Sequence, residues 1–305
     1  MKRIAIVAFV GLLTAGVVTL MAASPGAADT PKVDSKNFVG DVHELDTKYE
    51  APFNVVLDQW FADHRPAETQ KIRFDTVFQT PRVMVATITN KGQLFGLHYH
   101  TMADEIVFLL KGHCKEYVDG KWIPMLPGQI HYNPRGVIHG TRCEDEAQEL
   151  HFFTPVPGET DRVFLDSGKT QAKAGDIVGD WPLVDTQYKT NYLVTLDEWY
   201  AAHPVPAGQS MRVDPPWGTL RNQMMIAQKP KLDPHYHGSA DEMIYVYKGV
   251  GEMLLKGEWV TVKAGEIHFC PRGFIHGIRP VSDDFKIFAV FTPPQANGND
   301  RIFVK

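Results

Sequence analysis

From Arg82 onward, Val83, Val85, Thr87 and Thr89 alternate with their neighbours, the period of two expected of a half-buried strand. Four short stretches follow, Glu105–Leu110, Cys114–Val118, Lys121–Met125 and Gln129–Tyr132, all rich in Val, Ile, Phe, Tyr or Trp. Lys111-Gly112, Asp119-Gly120 and Pro127-Gly128 separate them as turns, and the second half repeats the pattern with Lys248-Gly249, Lys256-Gly257 and Ala264-Gly265. Many short strands at close spacing predict an antiparallel sandwich or barrel. Ahead of them, Val56–Asp63 reads as a short amphipathic helix, while residues 29 to about 55 are polar and carry no sustained period. The stretch from Pro155 to Thr190 is rich in Gly, Pro and Asp and predicts a linker, placed at 166–190. The fold class expected is all-β: two antiparallel β-barrels in tandem with minor short helices.

The halves share more than periodicity. His98, His100, Glu105 and His139 return as His235, His237, Glu242 and His276, each 137 residues later (98 to 235, 100 to 237, 105 to 242, 139 to 276). Gly112, Gly128, Pro134, Gly136 and Gly140 return at the same separation as Gly249, Gly265, Pro271, Gly273 and Gly277. One unit was duplicated. Weaker echoes extend it: Leu57–Ala62 against Leu196–Ala201, and Asp161-Arg162-Val163-Phe164 against Asp300-Arg301-Ile302-Phe303.

The repeated polar residues are of metal-ligand type. On a strand, residues two apart share a face, so His98 and His100 present both rings to one side. Glu105 lies five residues on, so Thr101–Asp104 must turn the chain before an adjacent strand aims the carboxylate at the same centre. His139 arrives after the Pro134-x-Gly136 turn. Three imidazoles and one carboxylate leave open positions on an octahedral ion, and a set without thiolate favours Fe(II) or Mn(II), with Ni, Co, Cu or Zn possible. The metal-binding expectation is therefore His98, His100, Glu105, His139, His235, His237, Glu242 and His276, up to two divalent ions per chain. By the same alternation Val107, Leu109, Ile244 and Val246 point inward and predict apolar pocket walls. Arg142 and Arg279 should point away from the metal into salt bridges, and Arg135 and Arg272 should be solvated. His131 and His268 should take a packing or surface role facing Tyr99 and Tyr236, with support of the metal ligands or proton relay as the alternative.

The spacing Gly92-x5-His98-x-His100-x4-Glu105-x6-Gly112, then Gly128-x5-Pro134-x-Gly136-x2-His139, resembles the two motifs of the cupin superfamily. Its recurrence resembles a bicupin, implying cupin-type barrels of the jelly-roll, double-stranded β-helix kind. There are departures: the glycine expected six residues before His235 is Lys229, and the Asn usual in the second motif, four residues after its His, is Cys143 in the first copy and Pro280 in the second. The domain order implied is a signal peptide at 1–28, a first cupin domain with an N-terminal arm at 29–165, the linker, and a second cupin domain at 191–305. The resemblance also implies a menu of dioxygenases, decarboxylases, lyases, isomerases and binding proteins. Oxalate decarboxylase places an arginine three residues before the first metal histidine; here those places are Phe95 and Leu232, which cannot pair with a dicarboxylate. Lyases with a similar ligand set use a nearby tyrosine; Tyr132 matches that only in the first half, its counterpart being Phe269.

Composition narrows the rest. The chain has 305 residues, 44% hydrophobic and 22% charged, enough for two ordinary domains. A net charge of −5, with no basic run interleaved with aromatics, excludes a nucleic-acid partner. Lys2 and Arg3 precede an apolar stretch from Ile4 to Met21 and then small residues, the order of a secretory signal cleaved after Ala28. The competing reading of that stretch is an uncleaved anchor. The expectation is a periplasmic or secreted protein without stable membrane insertion after cleavage, monomeric or homo-oligomeric. Three cysteines allow at most one internal disulfide, and each reads as a small buried hydrophobe. The function expected is a metal-dependent oxidoreductase of dioxygenase type on a small organic acid or phenolic substrate, with Glu105 and Glu242 as candidate catalytic bases. A decarboxylase or lyase, or a non-catalytic binding protein, is the alternative.

Overall fold

The computed structural model describes residues 53–118, 120–158, 160–165, 192–295 and 300–304. The expected signal and linker lie outside them. Strand β1 (Phe53–Val56) runs into helix α1 (Leu57–Asp63), at the place where the amphipathic pattern predicts a helix. The first barrel follows as β2 (Ile72–Gln79), β3 (Met84–Lys91), β4 (Leu94–His100), β5 (Asp104–Lys111), β6 (Cys114–Val118), β7 (Lys121–Met125), β8 (Gln129–Asn133), β9 (His139–Cys143), β10 (Glu146–Thr154) and β11 (Arg162–Phe164). The order then repeats: β12 (Tyr192–Thr195), α2 (Leu196–Ala202), β13 (Arg212–Gly218), β14 (Gln223–Gln228), β15 (Leu232–His237), β16 (Asp241–Lys248), β17 (Val250–Leu255), β18 (Glu258–Lys263), β19 (Glu266–Cys270), β20 (His276–Pro280), β21 (Lys286–Thr292) and β22 (Arg301–Phe303). No helix among the described residues is long and apolar enough to cross a membrane.

Each barrel is a six-stranded sheet facing a five-stranded one. The first pairs β12-β8-β5-β10-β3-β2 with β11-β4-β9-β6-β7, and the second pairs β1-β19-β16-β21-β14-β13 with β18-β17-β20-β15-β22. The outer strands are exchanged. β1 precedes the first barrel yet pairs with β19 of the second (Val55 opposite Ile267), and β12 precedes the second yet pairs with β8 of the first (Val194 opposite Ile130). Each covers an edge of the other barrel's sheet that would otherwise offer open hydrogen-bonding groups. The helix after each strand starts on that barrel's turn glycine, Leu57 N–H donating to the Gly265 carbonyl (3.0 Å) and Leu196 N–H to that of Gly128 (3.1 Å).

The two large sheets pack through their outer faces. Ile106, Phe108, Ile130 and Phe152 of the first barrel meet Tyr245, Phe269, Phe288 and Val290 of the second in one core. The Phe108 ring lies 5.0 Å from Tyr245 and 5.1 Å from Phe288. Both faces of β5 and β16 are therefore buried, which is why their sequences run almost without a polar break. The faces alternate as the period requires: Ile106 and Phe108 look into the shared core, while Glu105, Val107 and Leu109 look into the barrel.

Two local features depart from the sequence expectations. Lys229 occupies the left-handed conformation (φ 50°) that Gly92 takes in the first half (φ 68°), a backbone state that costs a side chain about 1 kcal/mol. Cys114 and Cys143 are joined as a disulfide, while Cys270 is buried and free. The reading of all three as plain buried hydrophobes thus holds for Cys270 alone. β6 and β9 set the other two directly opposite each other, which brings their sulfurs within bonding reach.

Candidate metal centres

The ligand expectations converge in space. Ligand atoms of His98, His100, Glu105 and His139 all lie within 4.8 Å of one another, as do those of His235, His237, Glu242 and His276, and all eight residues are buried. In each half the first and third histidines face each other across adjacent strands: His98 opposite His139 on β4 and β9, His235 opposite His276 on β15 and β20. The glutamates come from the facing sheet. The turn before the last histidine is fixed by Gly136 and Gly273, both at positive φ (78° and 83°), whose N–H groups donate to the His100 and His237 carbonyls (2.8 and 2.9 Å).

The tautomers suit a metal. His98, His139, His235 and His276 each donate Nδ1–H to a carbonyl, of Gly96 (2.8 Å), Val137 (2.9 Å), Asp233 (2.8 Å) and Phe274 (3.1 Å). His100 and His237 donate to carboxylates, Asp161 Oδ2 and Asp300 Oδ1, at 2.6 Å each. Every Nε2 faces the centre: those of His98, His100, His235 and His237 are buried without a hydrogen-bond partner, and those of His139 and His276 lie 2.7 and 2.9 Å from Glu105 Oε2 and Glu242 Oε2. Buried polar atoms are rarely left so, and donor atoms crowded this closely around one point are what a shared cation requires. Both centres fit a divalent metal ion.

Electrostatics agree. Burial pushes the His98 imidazole well below its usual range, and His235 falls to about 3 for the same reason, so both are neutral ligands. Burial would raise the two glutamates, but His100, His139 and His151 hold Glu105 well below the ordinary carboxylate range, and His237 and His276 do the same for Glu242. Burial opposes charge on His237, yet Asp300 and Glu242 lift it to about 9.

Several supporting residues escape a reading of the sequence. Asp161 and Asp300 orient the second histidine of each set, and the Asp-Arg-x-Phe echo was their signal. Asp104 and Asp241, each just before a ligand glutamate, accept the backbone N–H of Arg135 and Arg272 in the tight turns (2.9 and 3.0 Å), tying the glutamate segment to the last histidine. Each of these fully buried aspartates is held by an arginine of the other barrel, Arg221 on Asp104 (2.7 Å) and Arg82 on Asp241 (2.8 Å). Arg135 and Arg272 are buried, against the expectation that they are solvated, because their turns are clamped this way. His131 and His268 are buried on the strand face opposite the shared core, and burial brings both to about 3. Arg279 does form the expected outward salt bridge, to Glu252 (2.5 Å), and Arg142 is exposed.

Apolar walls are expected for both centres; they dominate at the second, while those of the first are mixed. At the second, Met225, Leu232, Ile244, Ile278, Ala289 and Phe291 surround a cavity of about 540 Å³, counted with the solvent at its mouth. The first centre's cavity, about 350 Å³ on the same measure, is walled by Asn90, Thr141, Glu149, His151 and Arg162 together with the apolar Ile88 and Phe95. Val107 and Leu109 do point inward there, but they pack with the disulfide and Met125 and Ala147, away from the metal ligands.

Residues 85–156 and 223–291 each match the family model described as Cupin domain. The chain belongs to the cupin superfamily. It is a bicupin, since both copies carry a full ligand set. An uncharacterised protein of Aquifex aeolicus (strain VF5) is 34% identical over 84 residues, 28% of this chain and 69% of the relative. Among solved structures, a salicylate 1,2-dioxygenase from Pseudaminobacter salicylatoxidans superposes with a TM-score of 0.62 at 13% identity, over 85% of this bicupin and 89% of that chain. A cupin 2 conserved barrel domain protein from Leptotrichia buccalis gives 0.56 at 12%, over 80% and 98%. A mutant oxalate decarboxylase from Bacillus subtilis gives 0.51 at 14%, over 88% and 81%. At these identities the likeness is one of fold.

Proposed function

We propose that this bicupin is an exported, metal-dependent oxidoreductase of dioxygenase type, acting on a small organic acid or phenolic compound. The second centre carries the reading: three imidazoles and one carboxylate line one side of a cavity whose other walls are mostly apolar, as in a site for a small organic molecule. Imidazole and carboxylate ligands without thiolate suit Fe(II) or Mn(II), and when bound such an ion polarises a substrate oxygen and passes electrons. The chain's own part is to orient and to move a proton. Phe291, Ile278 and Met225 exclude water from the open side, and Glu242 accepts a proton from a substrate hydroxyl. No imidazole stands behind Glu242 as His151 stands behind Glu105, where Nδ1 lies 2.8 Å from Oε1, so Glu242 is the freer of the two to turn.

Export is supported by the basic, apolar and small-residue order of the first 28 residues and by a disulfide, a bond that persists in oxidising compartments. The mature N-terminus is then residue 29, which intact mass of the periplasmic protein checks. A decarboxylase or lyase reading has one observation in its favour, the His151–Glu149 pair beside the first centre (Nε2 to Oε2, 3.0 Å), which can deliver a proton. Oxygen consumption with salicylate, gentisate and aliphatic hydroxy acids separates the readings. Uptake matched to substrate loss supports the dioxygenase; equal turnover without oxygen supports a decarboxylase or lyase. No turnover by fully metal-loaded protein leaves a binding protein.

A further inference from the structure

Although the two ligand sets are the same, strand register shows that the walls behind them have opposite chemistry. Opposite the first inward residue after each glutamate stands His151 (against Val107) in the first barrel and Ala289 (against Ile244) in the second. One step further, Glu149 faces Leu109 where Ile287 faces Val246. On the other sheet the neighbours Glu116 and Thr141 become Met253 and Ile278. Four polar side chains of the first barrel are thus replaced by four apolar ones in the second.

Most polar groups of the first wall are paired with one another, Glu116 Oε1 alone among its carboxylate and imidazole atoms being buried with no polar or sulfur neighbour. His151 bridges Glu105 (2.8 Å) and Glu149 (3.0 Å), the other Glu149 oxygen lies 3.7 Å from each disulfide sulfur, and Thr141 donates to Glu116 (2.8 Å). An apolar body entering there would strip buried carboxylates and an imidazole of their surroundings without replacing them, which is strongly unfavourable. At the second centre the same body gains by leaving water. The repeated arginine supplies the charge: Arg301 stands opposite His237 on β22 and lines that cavity, as does Gln295.

We infer that the two centres take ligands of different class. The second takes a carboxylic acid on an apolar body of aromatic size, its carboxylate shared between the ion and Arg301; the first admits only water or a ligand as small as formate. This rests on the metal-dependent reading above and assigns the substrate to the second centre.

The test is a binding experiment, so it does not depend on turnover. Single-centre proteins, Glu242→Gln for the first and Glu105→Gln for the second, are loaded with Co(II), and the visible spectrum is followed during titration with benzoate and with formate. The expected result is saturable benzoate binding at the second centre, at least tenfold tighter than formate, and no benzoate response at the first. In the otherwise unaltered chain, Arg301→Gln weakens benzoate at least tenfold, and the pair Ile287→Glu with Ala289→His abolishes its binding while cobalt stoichiometry and circular dichroism stay unchanged. These wall variants decide the matter if a single-centre protein fails to fold. Benzoate bound equally at the first centre, at neither centre, or undiminished by the wall variants overturns the inference. Benzoate bound at the second centre without oxygen chemistry on any acid overturns only the oxidoreductase reading.

Discussion

Asp300 illustrates how one side chain sets the behaviour of a ligand. Its carboxylate orients His237, fixes the tautomer and, against burial and together with Glu242, lifts the imidazole to about 9, so that in metal-free protein at pH 7 His237 holds a second proton at the nitrogen the ion needs. Metal uptake must expel that proton. Affinity at the second centre should therefore rise with pH by about tenfold per unit up to about 9 and then level off. Calorimetry in buffers of different ionisation enthalpy checks this as close to one proton released at pH 7; no release contradicts it. Asp300→Asn, which keeps the shape and removes the charge, should weaken metal binding by about 10–100-fold, measured by competition with a chelator. The eight ligands were legible because type and spacing recur together. His151 and Glu149 were not: the repeat shifts by one residue before β10 (Glu105 pairs with Phe153, Glu242 with Phe291), and at the corrected positions the second half holds Ala289 and Ile287.

At the scale of elements, alternation predicted most strands, including the inward set on β5 and β16, and the short α1 fell where expected. What it could not show was which sheet a strand joins. β1 and β12 are short edge strands whose own pattern is satisfied in either barrel, and only the three-dimensional arrangement assigns each to the other half. The cross-barrel arginines were hidden for the same reason, since Arg82 and Arg221 lie well over a hundred residues from the aspartates they hold. Removing one partner of a buried pair costs about 3–5 kcal/mol. Arg82→Ala should lower the melting temperature, and although it lies in the first barrel it should impair metal retention at the second centre before the first. Site-resolved metal analysis of the variant in the two single-centre backgrounds tests this; loss confined to the first centre contradicts it.

For the molecule as a whole, exchanged strands and a shared aromatic core bind the two barrels into one folding unit. Calorimetry should show a single unfolding transition, and Phe108→Ala, which opens a hole in that core at a cost of about 3–5 kcal/mol, should shift it without splitting it. Two separate transitions would contradict the shared core. Sequence alone gave the duplication and the barrel class. It missed the unequal pockets, because a ligand motif reports what touches the ion and says nothing of side chains brought up from β3, β6 and β10. The central claim is that each half gathers three histidines and one glutamate around its own divalent ion. Metal analysis of protein purified from its native compartment tests it most directly. Two equivalents per chain in the parent and one in each of Glu105→Gln and Glu242→Gln are predicted; a parent that carries no transition ion, and takes up none when offered iron, manganese, nickel, copper or zinc, contradicts it.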